Sequence, residues 1–313
     1  MQRPFSPMTF LGDVLSVYAT LLKILIPAIL LVKILEMTGA IEGLSHVLAP
    51  LMQLVGLPPE FGVVWAATLL TNIFTGLVVL FEVMGNDTVS VAEMTVLGSL
   101  LLIGHSLPVE GAVAKRAGVP WWVTLLLRVG GALFFAAIIH QLQDTFGWGQ
   151  EMANLRWQPE PSSGRWQDWL LAQGQTLLLI LGVIATLMLL LEMIKRLGLE
   201  SVMNWMLSPL LATLGIGRAA TNVTVIGTTL GLSYGAGLLI RDLDRGVMSP
   251  RDSFLVLCFL GLCHSIIEDT LLILLIDADL WAILGARLAF AVMVVALMAR
   301  SPWLRHLTPA RAG

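Results

Sequence analysis

Long runs of apolar residues, bounded by glycine, proline and charged residues, follow one another along almost the whole chain. In the first half they cover about residues 14–36, 41–57, 61–81, 94–114 and 120–141, and after a gap they recur at about 172–194, 199–216, 219–240, 253–276 and 280–299. A helix needs about 20 apolar residues to cross the hydrocarbon core of a bilayer. The pattern therefore predicts an all-α polytopic, multi-pass membrane protein with about ten transmembrane helices.

The gap divides the chain into two halves of similar make-up. It is the only long polar stretch between the runs and holds four of the ten tryptophans, which beside membrane spans typically act as interfacial anchors. We predict a first five-helix repeat over residues 1–141, an external Trp/Pro-rich linker over 142–171, a second five-helix repeat over 172–300 and a cytoplasmic tail over 301–313.

The two halves also resemble each other in sequence. An ungapped offset of 159 superposes His105–Ser106 on His264–Ser265 and Arg128 on Arg287. These matches carry weight because the chain has only five histidines and arginine is scarce at membrane depth. Upstream, a Leu-Glu-Met triplet recurs at residues 35–37 and 191–193, which indicates three extra residues in the second copy. We predict an internal repeat.

Charged loops predict how the two halves are inserted. The loop after the third run is acidic and lacks Lys and Arg, whereas its counterpart after the eighth run contains Arg241, Arg245 and Arg251. The next pair of loops differs in the opposite sense, with Lys115 and Arg116 in the first half only. Because positive loops face the cytoplasm, and five spans per copy turn the second copy upside down, we predict inverted repeats with both termini in the cytoplasm.

Polar residues interrupt the fourth and ninth runs. In the fourth run Pro108 cannot donate a hydrogen bond to the preceding turn, and in the ninth His264 and Glu268 lie one turn apart. Inverted repeats place substrate and ion sites near the membrane midplane, where helices are broken. We expect both segments to form one substrate site, with candidate binding residues His105, Ser106, Glu110, His264, Ser265, Glu268 and Asp269.

Two further candidate groups lie in the third and eighth runs. These are the Thr–Asn pairs Thr71–Asn72 and Thr221–Asn222, which are outside the repeat offset. Threonine is common where membrane helices pack closely, and this is the alternative explanation for both threonines. A buried amide is costly to leave unpaired, so we keep all four residues as candidate substrate-binding residues.

Three basic residues at membrane depth complete the set of candidates. Lys23, Arg128 and Arg287 are predicted to pair with the three acidic residues of the interrupted runs, which would cancel all six charges. A divalent-cation site would keep uncompensated carboxylates, so the balance favours a proton relay, a docking site for a polar solute, or purely structural ion pairs.

Composition and motifs exclude several classes of function. Only 12% of residues are charged and the mean hydropathy is +0.86, which excludes an ordinary soluble domain. Cys258 and Cys263 share one apolar run and predict no disulfide framework. The chain lacks GxxxxGK[ST] and HExxH motifs, so we expect neither a nucleotide-driven transporter nor an enzyme. Nor does it have a basic tail for nucleic acid.

Several short segments resemble a known family. They are PLMQLVGLP at residues 50–58, Thr71–Asn72 on a span, and His105–Ser106 followed by Pro108 and Glu110. Together they resemble the Gate, or nucleoside-recognition, domain family of bacterial membrane proteins, which is related to spore maturation proteins, concentrative nucleoside transporters and the membrane part of ferrous iron transport protein B. The resemblance implies an inverted-repeat transporter fold in the bacterial cytoplasmic (inner) membrane, with His105, Ser106 and Glu110 in the substrate pocket. The GTPase module of the ferrous iron protein is absent, which argues against GTP-gated iron uptake.

Two transport functions agree with these residues. The first is a secondary transporter of a small polar solute, nucleoside-like or anionic, coupled to protons or sodium and working by alternating access. The alternative is an iron-like divalent metal transporter that uses His105, His264, Glu110 and Asp269. An intramembrane enzyme and a nontransporting scaffold rank below both. The expected partners are the lipid bilayer and the substrate, and we expect neither nucleic acid nor a resident cofactor. The sequence leaves open whether the protein forms a homo-oligomer.

Overall fold

The computed structural model describes residues 6–84, 87–155, 166–230, 240–241, 245 and 248–302. Within these residues the chain is helical, and the only β-type pairing is an isolated antiparallel bridge between Ser90 and Met152. The all-α class predicted from the apolar runs is confirmed.

Thirteen helices lie in the described part of the chain. In the first half they are α1 (Pro7–Met37), α2 (Ala40–Leu54), α3 (Phe61–Leu70), α4 (Ile73–Met84), α5 (Val91–Ile103), α6 (Leu107–Arg116) and α7 (Trp121–Phe146). In the second half they are α8 (Trp166–Arg196), α9 (Leu199–Thr213), α10 (Arg218–Leu230), α11 (Pro250–Leu262), α12 (Glu268–Ile273) and α13 (Trp281–Arg300). Wider π-helical turns occur at Leu126–Gly130 within α7 and at Trp281–Ala286 in α13.

Five segments of the described chain are long and apolar enough to cross a membrane. They are α1, α7, α8, α13 and the α5–α6 pair Val91–Arg116. The helices α2 and α9 have 15 residues each, and at about 1.5 Å per residue they extend only ~22 Å, less than the hydrocarbon core. The chain is a membrane protein, but the count of ten full-length spans stays a prediction.

The third predicted span is broken, which the apolar pattern did not indicate. The helix α3 ends at Leu70 and α4 starts at Ile73, where the side-chain carbonyl of Asn72 accepts a hydrogen bond from the amide of Thr75 at 3.0 Å. An asparagine in this position satisfies an amide that has no partner inside the helix. A polar residue in an apolar run can therefore start a new helix as well as face a substrate.

The fourth and ninth runs are interrupted where predicted, between α5 and α6 and between α11 and α12. Groups at the break between α5 and α6 form hydrogen bonds with backbone carbonyls at the break between α3 and α4. The amide of Ser106 donates to the carbonyl of Thr68 at 3.1 Å, and the Ser106 hydroxyl donates to the carbonyl of Thr71 at 2.7 Å. In the second half the amide of Ile266 donates to the carbonyl of Thr228 at 2.8 Å. This mutual pairing stabilises broken helices where water is scarce.

Helix boundaries recur between the halves at the offset of 159. The pairs α1 and α8, α2 and α9, and α5 and α11 have identical lengths and start 159 residues apart. Left-handed backbone conformations recur at the same offset, at Gly39 and Gly198, Gly56 and Gly215, Ser106 and Ser265, and Gly118 and Asp277. Since α1 and α8 coincide without a gap, the expected three-residue insertion in the second copy is wrong.

The equivalent helices α1 and α8 lie antiparallel against each other. Near the end of α1 the Lys33 ammonium lies 5.8 Å from the ring centroid of Trp169, at the start of α8. Further back along α1 the Tyr18 hydroxyl donates to the carbonyl of Leu177 at 3.0 Å. One end of this pair is therefore formed by the start of α1 and the end of α8.

The linker between the halves is shorter than predicted. The helix α7 continues to Phe146 and α8 already begins at Trp166, so helices occupy both ends of the predicted segment 142–171. The central residues 156–165 of this segment lie outside the described residues, as do residues 303–313 of the predicted tail.

Candidate functional site

Six ionisable side chains, each less than one tenth exposed, lie where the two broken segments meet. Two come from the α5–α6 segment and two from the α11–α12 segment. One arginine lies in the π-helical turn of α7, and the other directly follows the π-helical turn of α13. We call this group the central cluster; its members are His105, Glu110, Arg128, His264, Asp269 and Arg287.

The two histidines face each other at the centre of the cluster. Their Nε2 atoms are 3.0 Å apart. The Nδ1 atoms lie 3.0 Å from the carbonyl of Leu101 and 2.7 Å from the carbonyl of Leu260, for His105 and His264 respectively. A carbonyl only accepts, so each Nδ1 carries the ring proton, and in the neutral ring Nε2 is then an acceptor. Both histidines thus direct lone pairs to one point.

Helix endings explain this orientation. The helix α5 ends at Ile103, so the amide of His105 does not continue the helical ladder to the carbonyl of Leu101. The imidazole of His105 takes the place of the missing amide, and His264 does the same at the end of α11. Local breaks in the helices therefore set the direction of both rings.

Two carboxylates complete the ring of groups around this point. The Oε1 atom of Glu110 lies 3.3 Å from Nε2 of both histidines, and Oδ2 of Asp269 lies 3.7 Å from Nε2 of His105. Within the described residues, Oδ2 of Asp269 has no hydrogen-bond partner. The two acidic residues are 159 positions apart, and each lies in the first turn of its helix, α6 or α12.

The two arginines differ in their contacts. Nη1 of Arg128 lies 2.6 Å from Oε2 of Glu110, and the guanidinium also donates to the carbonyls of Gly261 and His105. Arg287 donates to the carbonyl of His264 at 3.5 Å, and in the described part of the structure it forms no ion pair with Asp269. Aspartate is one methylene shorter than glutamate, so of the two predicted ion pairs only Arg128–Glu110 is made.

A cleft of about 730 Å³ leads to the central cluster. It passes between the first half of α1, the start of α4 and the last turns of α8. Among the described residues its lining contains no Lys or Arg but includes five carboxylates, those of Asp13, Glu110, Glu192, Glu268 and Asp269. Glu192 pairs with Arg196 at 2.7 Å, and Glu110 with Arg128. The described lining is therefore acidic, and it extends to Phe10 and Asp13 near the start of α1, which we call the open end of the cleft.

A polar network joins α1, α4 and α8 at the other end. The two carboxylate oxygens of Glu82 accept from Trp169 Nε1 at 2.8 Å and from Gln173 Nε2 at 3.0 Å. The Lys33 ammonium lies 3.8 Å from Glu82 and 2.7 Å from Glu36. We call Lys33, Glu82, Trp169 and Gln173 the latch. Twenty residues of α1 separate Asp13 from Lys33, which places the latch ~30 Å from the open end.

Most of the predicted site residues come together at or beside the cluster. Ser106, Ser265, Asn72 and Glu268 line the cleft next to it. Thr71 contributes its backbone carbonyl to Ser106, while its own hydroxyl donates to Ala67.

Two predicted residues, Thr221 and Lys23, are not brought to the site. The Thr221 hydroxyl donates to the carbonyl of Gly217 at 3.2 Å, the packing role given above as its alternative, and the side chain of Asn222 lies outside the described part. Lys23 is exposed on α1 and does not line the cleft, since it lies on the face of α1 away from the buried residues Leu25 and Ile29. The expected balance of three positive and three negative charges therefore does not hold at the site.

The sequence-based predictions missed the acidic lining beyond the cluster and the latch. Asp13 is a single charge near the start of α1, and Glu192 belongs to the repeated Leu-Glu-Met triplet, which indicated a repeat but no role. In the sequence, the latch residues Glu82 and Trp169 indicate only an acidic loop and an interfacial anchor. Neither signal shows that these residues meet, because the contacts join distant helices.

Comparison with known proteins places the chain among membrane proteins. No family model matches the chain, and no solved structure matches it. It is similar to the uncharacterized membrane protein YvoD of Bacillus subtilis (strain 168), with 29% identity over 287 residues that cover 90% of each protein. This likeness agrees with the apolar helices in indicating a membrane protein, and the resemblance to the Gate family stays a prediction.

Proposed function

We propose that this membrane protein is a secondary transporter that moves a small polar solute or ion by alternating access, with the central cluster as its substrate site. The observation that carries the proposal is the cleft, which connects one end of the bundle with buried polar groups while the latch holds α1, α4 and α8 together about 30 Å away. A substrate site reached from one side only is what one state of such a transporter requires.

The proposed architecture is a pair of inverted repeats in the bacterial cytoplasmic membrane. Coinciding helix boundaries, recurring left-handed residues and the antiparallel arrangement of α1 and α8 support it. With both termini in the cytoplasm, as the charged loops predict, the open end of the cleft faces the cytoplasm and the latch faces outwards. A Gate-like family membership agrees with this architecture.

The substrate is proposed to be neutral or cationic rather than anionic. In the part of the lining that the structure describes there are five carboxylates and no Lys or Arg, so the field inside attracts cations and repels anions. The two arginines of the cluster lie behind the acidic groups, and Arg128 is already bound to Glu110. This lining disfavours the anionic solute that the sequence allowed.

Alternation is proposed to exchange the roles of the two halves. In the described state the first half has its Arg128–Glu110 pair, whereas the equivalent Arg287–Asp269 pair is open. In inverted repeats the opposite-facing state has the two conformations swapped. We therefore expect Arg287 to engage Asp269 when the latch opens, with protons as coupling ions because the cluster consists of titratable groups.

Cysteine labelling in sealed vesicles tests this proposal. Single cysteines replace Ser16, in the cleft, or Gln173, in the latch, after Cys258 and Cys263 are changed to alanine. A membrane-impermeant maleimide should label Ser16→Cys from the cytoplasmic face only, and Gln173→Cys from neither face. Labelling of Ser16→Cys from both faces would contradict a one-sided cleft.

The latch supplies the second half of the test. Glu82→Ala removes the acceptor for Trp169 and Gln173, so labelling of Ser16→Cys should fall while Gln173→Cys becomes reactive from outside. Glu42→Ala, at an exposed acidic residue of α2, is the matched control. An unchanged pattern in Glu82→Ala would argue for a static bundle. Asp87→Cys and Arg245→Cys should react from opposite faces, and reaction from the same face would reject the inverted repeat.

A further inference from the structure

Four acceptor atoms of the central cluster converge on one point without a donor between them. They are Nε2 of His105, Nε2 of His264, Oε1 of Glu110 and Oδ2 of Asp269. In both histidines the protonated Nδ1 donates to a backbone carbonyl, so neither Nε2 carries a hydrogen in the neutral ring. Acceptors at such distances repel one another unless a cation lies between them.

Four of the six distances between these atoms are close to the edges of a metal coordination tetrahedron. Metal–ligand bonds of about 2.0–2.1 Å, as zinc makes to nitrogen and oxygen, give tetrahedral edges of ~3.3–3.4 Å. Four of the six edges measure 3.0, 3.3, 3.3 and 3.7 Å. Ligand atoms of His105, His264 and Asp269 all lie within 4.8 Å of one another.

We infer that the central cluster binds a first-row divalent transition-metal ion through His105, His264, Glu110 and Asp269, and that this ion is the transported substrate. The second clause rests on the proposed function, whereas metal binding does not. Two imidazoles with two carboxylates suit ions of the manganese-to-zinc series. Calcium and magnesium prefer oxygen ligands in larger number or octahedral arrangement, so they fit the cluster poorly.

The groups behind the four ligands support a metal site. A metal-bound histidine normally donates its second ring N–H to a carbonyl or carboxylate, which fixes the ring, and both histidines do so here. A carboxylate that binds a metal is likewise oriented by a partner of its other oxygen. In Glu110, Oε2 lies 2.6 Å from Arg128 while Oε1 faces the histidines. The donor atoms are therefore oriented by a rigid outer layer.

The charge of the cleft agrees with a divalent ion. Its described lining has five carboxylates. Arg128 and Arg196 form ion pairs with two of them, and Arg287 lies next to the cluster, where it donates to the carbonyl of His264. Two negative charges remain, which one divalent cation neutralises. The balance of deep charges that disfavours a metal includes Lys23 as a third cation, but Lys23 is exposed elsewhere on α1.

Cobalt binding to the purified full-length protein in detergent tests this inference. After treatment with a chelator, one equivalent of Co²⁺ should produce the intense visible absorption of a tetrahedral Co²⁺ site, and Zn²⁺ should displace it. His264→Ala and Asp269→Asn should each lower Co²⁺ affinity on the order of 100-fold or more, since loss of an outer-layer partner alone costs 10–100-fold. His46→Ala, at an exposed histidine of α2, should bind like the wild type.

The outcomes separate the inference from the proposed function. Size-exclusion profiles and thermal unfolding without metal establish that each variant is folded. If His264→Ala does not fold, Asp269→Asn, which preserves side-chain size, provides the test alone. Absence of stoichiometric Co²⁺ or Zn²⁺ binding by the folded wild type overturns the metal site and favours a proton shared by the histidines. Equal binding by wild type and both cluster variants overturns it too.

Uptake into proteoliposomes then addresses the substrate. Metal binding with Zn²⁺ or Mn²⁺ uptake that stops in Asp269→Asn supports both proposals. Metal binding without uptake of any first-row ion keeps the site but rejects the ion as cargo. Uptake of an organic solute by protein that binds no metal keeps the transporter and overturns the metal inference.

Discussion

Arg128 is the position where loss of one side chain should cost most stability. Its guanidinium is 1% exposed, lies 2.6 Å from Glu110 and donates to the carbonyls of Gly261 and His105. In Arg128→Met the carboxylate of Glu110, a residue that is 8% exposed, stays buried without its counter-charge. Removing one partner of a buried ion pair costs about 3–5 kcal/mol, and we expect a loss in this range.

The second half offers a matched control. Arg287 is equally buried, but its polar contact to the carbonyl of His264 is 3.5 Å long and it makes no ion pair with Asp269 in the described structure. Arg287→Met therefore breaks no formed pair and removes a buried charge. We expect it to cost at least about 2 kcal/mol less than Arg128→Met.

A double-mutant cycle identifies the cause. Glu110→Gln removes the uncompensated charge, so Glu110→Gln/Arg128→Met should be more stable than the sum of the single losses by about 2–3 kcal/mol. Reversible unfolding in mixed micelles with increasing denaturing detergent, followed by tryptophan fluorescence, measures these differences. Equal losses for the two arginine variants, or strict additivity in the cycle, would refute the assignment of the Arg128–Glu110 pair as the stabilising contact.

Two further changes test the broken helices. A Cβ on Gly76 would meet the hydroxyl of buried Thr68 at 1.8 Å, so Gly76→Ala should lower stability by about 1–3 kcal/mol, whereas Gly182→Ala, with no atom within 4 Å, should be neutral or slightly stabilising in the same unfolding assay. Ser106→Ala loses the hydroxyl bond to Thr71 at 2.7 Å and should lower stability by about 1 kcal/mol. Wild-type stability in Ser106→Ala would mean that the freed carbonyl finds another donor.

The sequence alone determined the helical membrane class and the chemistry of the two broken segments. Apolar runs and the proline at 108 act locally, because a helix depends on residues within one turn of each other. The recurrence of His–Ser at an offset of 159 marked both segments as related before any contact was known. The structure has these features at the residues that the sequence indicated.

Only the tertiary structure decided which polar groups share one site. The 3.0 Å approach of His105 to His264 joins residues 159 positions apart. The closed Arg128–Glu110 pair and the open Arg287–Asp269 pair depend on how neighbouring helices rotate and pack. The same packing leaves Lys23 outside and brings Asp13 in, which changes a balanced cluster into an acidic cleft. The rotation of each helix about its axis does not follow from residue type and spacing, because it results from packing between elements that are distant in sequence.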